Sequence, residues 1–138
     1  MKKLSIILVI AIVLFGCKKS EVDDVTISYE VTISNVNRPV TIYFNNETGG
    51  EDIFELTTTS FSKSYVMKSD KAKSTFKIRA SCYTYQTPNT NIYESQTITL
   101  KILEDNVVKQ TKTVSGSSVI NSFDNEIKAD LPSVIKYK

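Results

Sequence analysis

Val25-Thr26-Ile27-Ser28-Tyr29-Glu30-Val31-Thr32-Ile33-Ser34 alternates apolar and polar residues without a break. Side chains of an extended chain point to opposite faces in turn, so this stretch predicts a half-buried strand with Val25, Ile27, Tyr29, Val31 and Ile33 inward. The same period returns in Thr75 to Tyr85, where Phe76, Ile78, Ala80 and Cys82 lie opposite Lys77, Arg79, Ser81 and Tyr83. It returns again in Gln96 to Leu103, with Ile98, Leu100 and Ile102 inward. Val40 to Asn45 sets Val40, Ile42 and Phe44 on one side. Weaker strands are expected at Asp52 to Thr58 and at Phe61 to Met67, where Phe61, Tyr65 and Met67 share a face with Lys63.

The punctuation between these runs is that of an antiparallel protein. Arg38-Pro39 ends the first strand, since proline donates no ladder hydrogen bond and restricts the residue before it. Asn45-Asn46-Glu47-Thr48-Gly49-Gly50 is a turn rich in residues that tolerate positive φ. Asp105-Asn106 turns the chain into Val107 to Val114 as a hairpin. Ser115-Gly116-Ser117-Ser118 turns it again, ahead of short runs at Val119 to Phe123 and Asp124 to Leu131. Residues 17–138 hold 30 Ser or Thr but only three Ala and four Leu, a composition that suits strands and starves helices. Seven to nine strands without helical period or internal repeat indicate an all-β, immunoglobulin-like antiparallel β-sandwich. A closed barrel is the alternative, which the strand list alone does not separate.

Ahead of this domain, Met1-Lys2-Lys3 and the apolar run Leu4 to Phe15 read as a secretory signal. Leu4 to Cys17 would span only about 21 Å as a helix, against ~30 Å of hydrocarbon, so it is short for a transmembrane segment. Leu14-Phe15-Gly16-Cys17 resembles the lipobox of bacterial lipoproteins. That resemblance implies cleavage after Gly16 and acylation of Cys17, whose acyl chains hold the protein on the membrane. The expected organisation is a signal peptide over 1–16, a lipidated tether over 17–24, the sandwich over 25–131 and a basic tail over 132–138. Lys18 after the Cys suggests an outer-membrane destination by analogy with enterobacterial sorting. Ser20 to Asp24 resembles a surface-export signal of Bacteroidetes lipoproteins, which leaves a periplasmic or a surface orientation open.

The chain of 138 residues has 17 Lys plus Arg, 15 Asp plus Glu, two Cys and no His. Without His, neither a His-based catalytic triad nor a Cys/His zinc site is available. Lys2 and Lys3 make up the surplus charge, so residues 17–138 carry 15 groups of each sign. A neutral domain lacks the basic field that gathers phosphates, and no nucleic-acid partner is expected. Cys82, on the apolar side of its strand, reads as an inert thiol. The acidic groups at Asp23-Asp24, Glu47 with Glu51-Asp52, and Glu104-Asp105 read as solvated turn residues. No cofactor, metal or catalytic residue is expected. Tyr83, Tyr85 and Tyr93 flank the loop around Pro88 and form a candidate binding surface, with Tyr43 on the outer side of its own strand.

Tyr29-Glu30-Val31-Thr32, the run Val40 to Gly50, Ser60-Phe61-Ser62-Lys63-Ser64-Tyr65 and the hairpin Lys101 to Lys109 follow one another in an order that resembles the MmpS-like transport accessory domain. The likeness spans roughly residues 25 to 124. It implies a small β-sandwich outside the cytoplasmic membrane that assists a resistance-nodulation-division exporter and has no catalytic residues. Here a lipid anchor stands in place of that family's transmembrane helix, one Cys of its usual pair is missing, and Phe61 stands where Trp is frequent. The function expected is a non-enzymatic, lipid-anchored interaction or transport accessory module of an envelope complex. The alternative is a surface module that binds a glycan or a host protein.

Overall fold

In the computed structural model, residues 22–35, 39–70, 74–81, 96–115 and 125–133 are described. They form eight strands: β1 (Asp24–Ser34), β2 (Val40–Asn45), β3 (Glu51–Leu56), β4 (Ser60–Lys68), β5 (Ser74–Ser81), β6 (Thr97–Glu104), β7 (Val107–Ser115) and β8 (Ile127–Leu131). All pair antiparallel, in one sheet ordered β4-β1-β6-β7 and another ordered β3-β2-β5-β8. The open question of sandwich or barrel is thus answered by two separate four-stranded sheets.

Two pairs interlock. β1 pairs with β4 in one sheet and β2 with β5 in the other, while the connections β1–β2 and β4–β5 cross between sheets. These are the places of strands B, E, C and F in the immunoglobulin fold. β6 lies beside β1, where strand A belongs, and β8 beside β5, where strand G belongs. The β6–β7 hairpin inserted before β8 distinguishes this chain from that plan.

The expected inward rows close the core. Val25, Ile27, Tyr29, Val31 and Ile33 of β1 meet Ile98, Leu100 and Ile102 of β6 on one side, and Ile42, Phe44, Phe76, Ile78 and Ala80 on the other. The outer face of the first sheet explains the Ser and Thr content. Ser60, Thr32, Thr99 and Thr113 stand in one cross-strand row. Thr99 and Thr113 hydroxyls are 3.0 Å apart, and those of Ser28 and Ser64 2.9 Å. Short hydroxyls satisfy one another there without the entropy cost of long charged side chains.

Local chemistry sets the turns. Asp105 and Asn106 both have positive φ, 49° and 64°, which makes the β6–β7 hairpin a type I′ turn. In the β2–β3 turn only Gly49 uses the left-handed region, at φ 86°. Gly50 is needed for space, since a Cβ there would meet the Asn46 amide at 3.1 Å. Asn46 Oδ1 accepts from the Gly50 N–H at 2.9 Å and from the Thr48 hydroxyl at 2.7 Å, and its Nδ2 donates to Asp52 Oδ1 at 2.9 Å.

Glu104 corrects the solvated reading of the Glu104-Asp105 pair. Its side chain is buried at the end of β6. The Ser133 N–H donates to Oε1 at 2.7 Å, the Ser133 hydroxyl donates to Oε2, and Lys109 Nζ lies 3.0 Å from Oε2. A bulge in β7 opposite Ile102 and Leu103 makes Lys109 the extra residue and re-aims it toward this carboxylate. Asp105 is structural too, accepting the Thr26 N–H at 2.9 Å. Burial alone would raise the Glu104 carboxyl, but the bonds from Ser133 and Lys109 outweigh it and hold the group below its usual range. A depressed folded-state pKa stabilises the fold above the unfolded value of 4.5, and that stabilisation is lost as pH falls through the folded value. Glu104→Gln should therefore cost about 1–3 kcal/mol at pH 7. Thermal melts should show the gap between variant and wild type closing as the pH is lowered below about 4; a gap that persists there would contradict this account.

Candidate functional site

Cys17, Gly16, Cys82, Tyr83, Tyr85 and Tyr93 lie outside the described residues, as does the Pro88 loop. Tyr43 is on the outer side of β2, as expected. Arg79 of the neighbouring strand stacks 4.5 Å over its ring and pairs with Glu51 at 2.8 Å. This half-buried stack lies beside exposed Ile53, the cross-strand partner of Tyr43.

A stronger feature lies on the flank where edge strands β3 and β4 face each other. β3 pairs only with β2 and β4 only with β1 among the described residues, so each presents an open edge. An aromatic seam runs behind this flank and bridges the sheets. Phe54 and Phe61 have ring centroids 5.1 Å apart, Phe61 and Phe44 5.2 Å, and Phe44 and Tyr29 5.6 Å. Tyr29 then lies 6.4 Å from Tyr65 and 6.4 Å from Phe76. Tyr29 is thus the hub, with three ring neighbours drawn from both sheets.

Toward the β1 N-terminal end the seam opens into a cleft of about 210 Å³ lined by Glu47, Thr48, Tyr65, Val66, Met67 and Phe76. That is below the ~300–1,000 Å³ of pockets for drug-sized ligands, and it suits a single side chain or a small amine. Tyr65 in its wall has a buried hydroxyl that lacks a hydrogen-bond partner, as does fully buried Tyr29, which packs against Tyr65 and Phe76. Asp52 is the cross-strand partner of Phe44 and so shares its inward face on β3. Burial raises the Tyr65 pKa first, and the Asp52 and Glu47 charges add to it. Tyr29 is raised chiefly by its burial, then by Tyr65, while the Lys77 backbone opposes the shift. Both phenols stay neutral at physiological pH, each able to donate or accept.

Lys63 Nζ stands 5.4 Å over the Tyr65 ring. Asp52 and Lys63 are inward-pointing charges on edge strands, which discourages two copies from pairing edge to edge. No three His, Cys, Asp or Glu side chains are placed to hold a metal ion among the described residues. The chemistry available is recognition: a small aromatic recess, negative at its rim, beside open backbone edges. The sequence placed Tyr65 on the face of Phe61 and Met67 but missed the recess, because Glu47, Asp52 and Tyr65 meet only through the pairing of the two sheets. No protein-family model matches the chain, and no curated protein matches it significantly.

Proposed function

We propose that this chain is a non-enzymatic, lipid-anchored envelope lipoprotein whose sandwich serves as a protein interaction or transport accessory module, held on the outer membrane by acyl chains on Cys17. One observation carries the interaction half of this reading. Among the described residues Ile53 and Phe54 of β3, Val66 of β4, and Val107 and Val108 of β7 are the exposed large hydrophobics, and all stand on edge strands. Apolar side chains beside unpaired backbone are suited to a partner that joins the sheet edge. The anchor half rests on the Leu14 to Cys17 lipobox, and the exporter-accessory form of the role on the sequence resemblance.

A photo-crosslinking residue placed at Ile53, Val66 or Val108 in intact cells should capture an envelope protein. The same residue at Thr113, in the hydroxyl row, should capture little. Equal or absent capture at all four positions would overturn the proposal. Glycan binding lost on Tyr83→Ala and Tyr85→Ala would then favour the surface-binding alternative.

A further inference from the structure

We infer that the cleft between the β2–β3 turn and β4 receives the lysine side chain of an extended partner peptide, which adds as a strand to the open edge of β4. This rests on the interaction-module reading and names the chemistry of the partner. The electrostatic case comes from the rim. Among the described residues Glu47 makes no ion pair, and Asp52 accepts from the neutral Asn46 amide at 2.9 Å. Glu47 lines a recess walled by Tyr65, Met67 and Phe76, and the Asp52 charge bears on Tyr65 from nearby. An ammonium on an aliphatic stem matches both parts: the stem lies against the rings and Met67, and the charge meets the carboxylates.

The independent observation is the orphan hydroxyl of Tyr65. A buried hydroxyl without a partner costs about 1–3 kcal/mol, and Tyr65 leaves one in the wall of the recess. An entering N–H donor gives Tyr65 Oη a bond to accept while that phenol's own proton turns to Asp52. An aliphatic side chain would leave the phenol unsatisfied, and an acidic one would be repelled by Glu47 and Asp52. The molecule already places an ammonium nearby, in Lys63 over the Tyr65 ring. That residue is exposed and stays outside the recess, so it is a like-charge neighbour of the guest.

The open β4 edge explains why the lysine should arrive on an extended chain. In strand addition, main-chain hydrogen bonds supply affinity, and pockets for alternate side chains supply specificity. Tyr65 and Met67 are alternate residues of β4 that both line the cleft. A strand laid along them directs every second side chain to the same flank.

Fluorescence anisotropy with the full-length protein in mild detergent tests this. The probe is a dye-labelled heptapeptide of alternating Thr and Val with a central Lys. Replacing that Lys by norleucine should weaken binding at least tenfold, and N-methylating alternate backbone amides of the peptide should abolish it. Glu47→Gln with Asp52→Asn should weaken the Lys peptide at least tenfold and leave the norleucine peptide unchanged. Lys63→Met should tighten the Lys peptide several-fold, and circular dichroism of each variant controls for folding. Equal affinity for both peptides, an unchanged affinity in the double variant, or no binding at millimolar peptide would each overturn the inference. Crosslinking from Ile53 or Val108 alone, with no Lys-peptide binding, would sink this inference while the interaction-module reading stands.

Discussion

Tyr29→Ala should lower the free energy of unfolding by about 3–5 kcal/mol, the largest loss expected from any single core substitution here. Tyr29 is fully buried on β1 and touches Phe44 and Phe76 of the opposite sheet and Tyr65 of its own. Truncation opens a cavity at the point where the seam crosses between sheets, and stiff strands anchored by their ladders collapse poorly into such a hole. Against a total stability of about 5–15 kcal/mol, the domain would lose a large share, and its melting temperature should fall by more than ~10 °C. Tyr29→Phe separates the two roles of the residue. It keeps the ring and removes a hydroxyl that has no partner, so it should be neutral or stabilising by up to ~1 kcal/mol. A Tyr29→Phe variant that melts well below wild type would show that the hydroxyl is bonded.

Cys17→Ala should strip the protein of its lipid and move it from the detergent-rich phase to the aqueous phase in a phase-partition assay. Each buried methylene contributes about 0.8 kcal/mol, and two acyl chains already anchor stably where one does not. Residues 17–138 supply little substitute, because they carry 15 groups of each sign and so have no net charge to hold anionic lipid. Intact-mass measurement supplies the complementary readout. The wild-type chain should begin at Cys17 and carry the added mass of the acyl groups, whereas the Cys17→Ala chain should carry none. A wild-type mass that retains Met1 without lipid would reject the anchor.

The strands legible in the sequence were those buried on one face only. β1, β5 and β6 declared themselves by strict alternation, and the Asp105-Asn106 hairpin by two residues that accept positive φ. β3 was faint because an edge strand exposed on both faces leaves little periodic signal, and five of its six residues are exposed. Glu104 was misread for a different reason. A carboxylate beside a turn looks solvated until Ser133, distant in sequence, is folded over it. The recess follows the same rule, since Glu47 and Asp52 belong to one hairpin and Tyr65 to a strand of the other sheet. Burial of a long-range pair is a property of topology, and local pattern carries no trace of it.

The register of β1 against β4 has a consequence for where binding takes place. Val25 pairs with Met67 and Ile27 with Tyr65, so the recess opens at the end of the domain where the chain enters from its tether. Cys17 and Asp24 are seven residue-to-residue steps apart, a leash of at most about 25 Å when fully extended. Acylated at Cys17, the protein would sweep this opening through a thin shell above the bilayer, and a basic strand on a neighbour in that membrane would meet it as if both shared a small vessel. Tethering of this kind raises effective concentration toward the millimolar range, so even a weak grip on one lysine would be occupied much of the time. A soluble protein with the same segment would face the full dilution of the compartment, and leash length would then select partners by address before the cleft reads their chemistry.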